Sequence, residues 1–223
     1  MFEQTTNTSY KPAEYSEEYL NFGNPEEYLK VRKGKLVLGF FRRWFEMRAI
    51  YKCLENLPDI HSVCDIPCGA GTLFPCWRKK GYRVVGADLS DRMIGAAGNM
   101  LKHLNLEGRA IQCNAFTLKN CLKEDEVDLI ASVRFFYYFK KDKRIELLQT
   151  MGELSRKYLL VQYKTRETRK GRINLKRLGS NTQRCSMEEI REELRVAHLD
   201  CIKILAAAPA GSDRVFVTAA NRK

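Results

Sequence analysis

The sequence predicts an α/β fold built on a seven-stranded, mostly parallel sheet with an antiparallel last strand and helices on both faces. Three observations predict it. From residue 61 onward, short β-branched and aromatic runs alternate with helix-length segments, the pattern of a parallel sheet with crossover helices. A glycine-containing turn, Cys68-Gly69-Ala70-Gly71, joins the first run to a helical segment. The last two runs are separated only by the turn residues Ala208-Pro209-Ala210-Gly211-Ser212-Asp213, short enough for a hairpin, so the final strand reverses direction.

Taken in chain order, residues 1–29 are acidic and carry Tyr10, Tyr15, Tyr19 and Tyr28. Aromatic residues with few long apolar runs suit a lid that orders over a ligand rather than a core element. Residues 36–57 read as a helix, with Phe41, Trp44, Phe45, Ile50 and Leu54 on a broad apolar face. Residues 1–58 are therefore expected to form a lid and a helix packing on a core domain of residues 59–223, with a basic insertion at about 164–184. The strands are expected at 61–67, 82–88, 109–115, 127–133, 157–163, 201–207 and 213–219, and the helices between them at 72–80, 91–104, 141–156 and 186–198. The last helix opens on Ser186 with Glu189 three residues on, the spacing of a capping box.

With 223 residues and 44% hydrophobic content, the chain can bury the core of one large domain. It has no apolar run of the roughly 18 residues that span a bilayer. Its N-terminus lacks the basic-then-apolar order of a signal peptide, so a soluble, cytoplasmic protein is expected. The eight cysteines form no CxxC pair and no histidine stands at zinc-ligand spacing, so no metal is expected and the thiols read as reduced core residues. The net charge of +12 is confined to two stretches, residues 30–48 with seven Lys/Arg against one acid and residues 164–184 with eight against one. The rest of the chain is close to neutral.

The glycine turn carries the chemistry. A strand ending in Asp65, then Gly69 and Gly71, then a helix, presents backbone N–H groups and a helix N-terminus to a ligand. Asp88 ends the next strand, where a carboxylate accepts both hydroxyls of a ribose. A pyrophosphate would be repelled by Asp65, and Phe74 stands where a dinucleotide fingerprint has its third glycine. A ribose-containing ligand with a cationic part and no phosphate fits better, and S-adenosylmethionine is such a ligand.

The run from Asp65 to Ile94, with Cys113-Asn114-Ala115 and the stretch 127–139, resembles the cofactor motifs of class I S-adenosylmethionine-dependent methyltransferases, of the bacterial small-molecule type and with a Rossmann-like sheet. The resemblance covers about residues 60–220. It implies S-adenosylmethionine as cofactor and S-adenosylhomocysteine as product. It further implies that Asp65 anchors the amino group through water and that Pro67, Gly69, Ala70 and Gly71 line the methionine part. Asp88 would hold the ribose, Met93 would touch the adenine and Asn114 face its exocyclic amine, with Leu89 and Ala115 also among the cofactor-binding residues. Ser132 completes the set. Asn114 stands where the family often has aspartate, and its amide oxygen keeps an acceptor for the exocyclic amine.

Methyl transfer from a sulfonium is a direct displacement that positioning alone can accelerate, so no strong base need be visible. The turn after the fourth strand lacks the N/D-P-P-Y/F motif of enzymes that methylate DNA bases or protein glutamine; it reads Ser132-Val133-Arg134-Phe135-Phe136-Tyr137-Tyr138. Arg134 as an anion clamp, Tyr138 as a proton acceptor or relay or as the lining of an apolar pocket, and Tyr163 at the end of the fifth strand are the candidate catalytic residues. The pairing of Arg134 with a local acid is the competing reading. The two basic stretches flank the expected site and point to an anionic small-molecule or lipid-linked substrate, with peripheral membrane contact through Gly39–Arg48. An RNA methyltransferase and an inactive methyltransferase-fold binding protein are the alternatives; no separate RNA-binding module is visible.

Overall fold

The computed structural model describes residues 36–168, 182–208 and 212–221. The expected lid at 1–29 and most of the basic stretch at 164–184 lie outside them. In chain order the elements are α1 (Leu36–Cys53), β1 (Ser62–Asp65), α2 (Phe74–Lys80), β2 (Arg83–Asp88), α3 (Asp91–His103), β3 (Gly108–Gln112), β4 (Val127–Ser132), α4 (Lys141–Leu154), β5 (Ser155–Lys164), α5 (Met187–Val196), β6 (Leu199–Ala206) and β7 (Arg214–Asn221). The strands form one sheet in the order β3-β2-β1-β4-β5-β7-β6. β7 inserts between β5 and β6 and runs antiparallel to both, as the short turn before it predicts. The order reverses between β1 and β4, where open α/β sheets place their ligands outside the carboxyl ends of the strands.

Each face of the sheet is covered by its own apolar layer. On one side Ala49, Ile50 and Cys53 of α1, Phe74 and Trp77 of α2, and Ala97 and Leu101 of α3 pack over Val63, Leu129, Ala131, Leu160 and Phe216. On the other, Leu147, Leu148 and Met151 of α4 and Ile190 and Leu194 of α5 pack over Cys64, Val85, Ile130, Leu159 and Val217. β1 and β4 are buried on both faces, which is why they read as continuous apolar runs rather than alternating ones.

The end of α4 departs from expectation. The helix stops at Leu154, and β5 begins at once with Ser155, whose Oγ donates to Tyr158 O (2.7 Å), so the helical period runs directly into the strand. Short 3-10 turns at Ala115–Asn120 and Phe136–Tyr138 fall where the sequence shows no helical period, because three to six residues are too few to display one. The capping box of α5 is formed: Ser186 Oγ accepts from Glu189 N (3.0 Å) and Glu189 Oε2 accepts from Ser186 N (2.8 Å). Six of the eight cysteines are buried and all are free thiols.

Candidate active site

The site is built from the carboxyl ends of β1, β2 and β4. Asp65, the last residue of β1, is 1% exposed. Its Oδ2 accepts from Trp77 Nε1 of α2 (3.1 Å), while Oδ1 is buried with no hydrogen-bond partner among the described residues. Burial raises this carboxyl to about 7 against the lowering effect of the Trp77 bond, and the nearby Asp88 charge raises it further. A buried, half-satisfied acid of this kind is unfavourable on its own and is the natural counterpart of a cation.

After Asp65 the chain turns through Pro67 and the two glycines. Gly69 and Gly71 both take positive φ (+54° and +73°), which side chains rarely adopt. A Cβ on Gly71 would lie 2.7 Å from Phe74 Cδ2. The same ring explains why α2 needs no third glycine. Phe74 Cζ would be only 2.6 Å from a Cβ on Gly86, so the close approach is provided by a glycine of β2 instead. Ala70 is buried and Pro67 is half-buried.

Asp88 ends β2 with 7% exposure. Its Oδ2 accepts from Gly69 N (2.8 Å) and its Oδ1 from Ser90 N (3.0 Å), so the carboxylate ties the glycine turn to the start of α3. Burial raises its pKa and these backbone donors lower it. Each oxygen keeps acceptor capacity for a hydroxyl. Beyond it Ser90 caps α3, accepting from Met93 N (3.4 Å); Met93 is buried and Leu89 half-buried. Asn114 Oδ1 accepts from Phe116 N (3.0 Å) and caps the following turn, so its amide oxygen is shared with the backbone; Ala115 is buried beside it. Ser132 is fully buried, and its Oγ has no partner among the described residues.

The three candidate catalytic residues have unlike surroundings. Arg134, at positive φ (+66°), donates to Glu46 Oε2 of α1 (2.9 Å) and to Thr72 Oγ1 of the glycine turn (2.9 Å). It pairs with an acid, the competing reading of the sequence, and joins three segments: the turn after β4, α1 and the glycine turn. Tyr138 is half-buried at the same edge. Tyr163 is fully buried on the opposite face of the sheet, where its hydroxyl donates to Glu193 Oε2 (3.0 Å) next to Arg144. Burial, with the Glu193 charge, pushes its pKa well up, and its hydroxyl faces the buried Arg144–Glu193 pair rather than the glycine turn. The alternation of β5 turns Tyr163 to the α4–α5 side, away from the glycine turn.

Trp77, Thr72 and Glu46 were not singled out by the sequence. A buried tryptophan requires an acceptor for its N–H, and Trp77 lies one helical segment after Asp65, so this partner could have been found. Glu46 lies in a helix read for its apolar face and its partner is 88 residues away.

Residues 63–157 match the family model described as methyltransferase domain. Over that segment the chain is similar to methyltransferase domains. The sheet extends beyond that match, and solved methyltransferases share its fold. The magnesium protoporphyrin IX methyltransferase of Synechocystis PCC 6803 with bound S-adenosylhomocysteine superposes with a TM-score of 0.72 at 15% identity, over 92% of this chain and 100% of its own. A methyltransferase from Clostridium acetobutylicum ATCC 824 gives a TM-score of 0.68 at 14% identity, covering 89% and 99%. Mitomycin 7-O-methyltransferase gives 0.66 at 15% identity, covering 92% of this chain and 60% of its own. No curated protein matches the sequence. Among the described residues no helix is long and apolar enough to cross a membrane, and no group of His, Cys, Asp and Glu could hold a metal.

Proposed function

We propose that the methyltransferase transfers a methyl group to an oxygen or nitrogen of an anionic small molecule or a lipid-linked acceptor. The observation that carries the cofactor site is the buried Asp65 with one unpartnered oxygen, beside two left-handed glycines and opposite Asp88. These residues fit S-adenosylmethionine: Asp65 supplies the only kind of charge its ammonium would seek, the glycine turn gives backbone donors for its carboxylate, and Asp88 offers acceptors for ribose hydroxyls. When bound, the cofactor supplies an activated methyl on a sulfonium. Met93 and Asn114 are assigned to the adenine side, and Leu89, Ala115 and Ser132 to the cofactor site without a finer role.

An anionic acceptor is supported by the cations at the carboxyl edge of the sheet. Lys164 lies 4.2 Å from the centre of the Tyr137 ring, with Arg166 and Lys140 nearby in sequence, and the chain as a whole carries +12. Neighbours named for magnesium protoporphyrin IX and for mitomycin agree with a small-molecule acceptor. Tyr138 is the residue we assign to line the acceptor pocket. Arg134 is assigned a positioning role, holding the cofactor turn against α1 rather than gripping the acceptor.

Two measurements test this. Asp88→Ala removes a ribose acceptor and leaves the Gly69 and Ser90 N–H groups unpaired, each such loss costing about 1–3 kcal/mol. Calorimetric titration is expected to show S-adenosylmethionine affinity reduced about 100-fold; an unchanged dissociation constant would remove Asp88 from the site. Arg134→Ala is expected to lower turnover at least tenfold and also to weaken cofactor binding, because Thr72 and Glu46 lose one shared donor. A loss confined to the acceptor KM would instead restore Arg134 as an anion clamp. A screen of carboxylated and phosphorylated small molecules and lipid extracts, read by S-adenosylhomocysteine release, identifies the acceptor class.

A further inference from the structure

A groove of about 900 Å³ runs between α1 and the end of α2. Its walls carry Arg43, Arg48, Lys52, Lys79 and Lys80 against the single acid Glu55, together with Trp44 and Tyr51. On the same outer side of α1, Phe41 is 52% exposed and Trp44 48%. They stand three residues apart, so they share one helix face with Arg48 one turn on. The opposite face of α1 is spent on the sheet, through Ala49, Ile50 and Cys53.

We propose that this aromatic and basic face of α1, with the lysines ending α2, docks on an anionic lipid bilayer. Large exposed aromatics flanked by cations are what an interfacial helix presents: the rings enter the headgroup region while long cationic side chains reach the lipid phosphates. A single nucleic-acid strand would also meet the charge, but it would need open ring faces for stacking. Arg48 already lies over Trp44 (5.7 Å to the ring centre) and Lys79 over Tyr51 (5.1 Å), so a cation sits against each of these rings. The patch also borders the cofactor turn, since Arg43 Nη2 donates to Thr72 O (3.2 Å). Docking would therefore bring the mouth of the site to the membrane surface. This rests on the lipid-linked branch of the proposed function and selects it over a freely diffusing acceptor.

The two tryptophans make the test direct. Trp77 is fully buried and Trp44 half-exposed, so a change in emission reports Trp44. The full chain is mixed with vesicles of phosphatidylglycerol and phosphatidylcholine, or of phosphatidylcholine alone, and followed by fluorescence and by flotation. The expected result is a blue shift and at least tenfold stronger partitioning onto the anionic vesicles, weakened by high salt. K79E/K80E and Trp44→Ala are each expected to reduce partitioning about tenfold while leaving S-adenosylmethionine affinity within twofold of the parent. Equal partitioning onto both vesicles, or a Trp44 response to an oligonucleotide and not to vesicles, overturns the proposal. Because cofactor affinity is measured separately without vesicles, loss of docking with intact cofactor binding refutes the membrane surface alone, and the converse refutes the methyltransferase site alone.

Discussion

Asp65→Asn is expected to make the ligand-free protein more stable at pH 8 and to lower its affinity for S-adenosylmethionine by about 10- to 100-fold, the scale of a lost hydrogen bond to a charged group. Burial disfavours the charge on Asp65 and pushes its carboxyl up to about 7, from 3.8 for an ordinary aspartate. A raised acid binds its proton more tightly folded than unfolded. Its contribution to stability is thus fully present below about pH 4 and is lost as pH rises through about 7. Asparagine keeps the shape and can still accept from Trp77, but it never pays to ionise. The thermal midpoints of parent and variant should therefore differ at pH 8 and converge near pH 4, with the difference at pH 8 narrowed or reversed by excess cofactor, which stabilises the tighter-binding parent more. Equal midpoints at pH 8 would show that Asp65 is not held in an unfavourable state.

The second large effect is on folding. Arg144 of α4 is 4% exposed and Glu193 of α5 fully buried; Arg144 Nε donates to Glu193 Oε2 (2.9 Å), and Nη2 bonds the other carboxylate oxygen. Tyr163 donates to the same carboxylate, and Arg144 Nη1 holds the Phe139 carbonyl at the end of the turn after β4. Arg144→Ala leaves a buried glutamate without its guanidinium, a change that costs about 3–5 kcal/mol. For a domain of this size the thermal midpoint should fall by about 10 °C. The double variant Arg144→Met/Glu193→Met is expected to recover much of that loss, since apolar replacement of a whole buried pair is often neutral. Tyr163→Phe should leave turnover within twofold, as a residue buried on the far face of the sheet; a hundredfold loss would return it to the catalytic set.

The strands were legible because parallel strands buried on both faces must be apolar throughout, and the runs ending in Asp65, Asp88 and Ser132 are of that kind. The glycine turn and its two acids were legible for a chemical reason: few ligands want a carboxylate, a phosphate-free backbone cradle and a ribose acceptor together. What escaped were pairings between distant residues. Arg134 read as a clamp because it follows the carboxyl end of β4, whereas in the fold it pairs with Glu46, 88 residues away. Tyr163 read as part of the site because the end of β5 is near it; strand alternation sends the side chain to the other face. Phe74 read as a missing glycine, yet the close packing it seemed to forbid is made by Gly86.

The central claim is that Asp65, the glycine turn and Asp88 bind S-adenosylmethionine, with the charge on Asp65 drawn out by the cofactor's ammonium. Calorimetric titration of the purified protein with S-adenosylmethionine at pH 7.2 and pH 5.5 tests it most directly. Binding in the micromolar range at pH 7.2 is predicted, falling by up to about tenfold for each pH unit below about 7, as the proton on Asp65 competes with the ligand. The Asp65→Asn protein should show weak binding with no such pH dependence. Absence of binding at pH 7.2, or equal affinity at both pH values, would contradict the account.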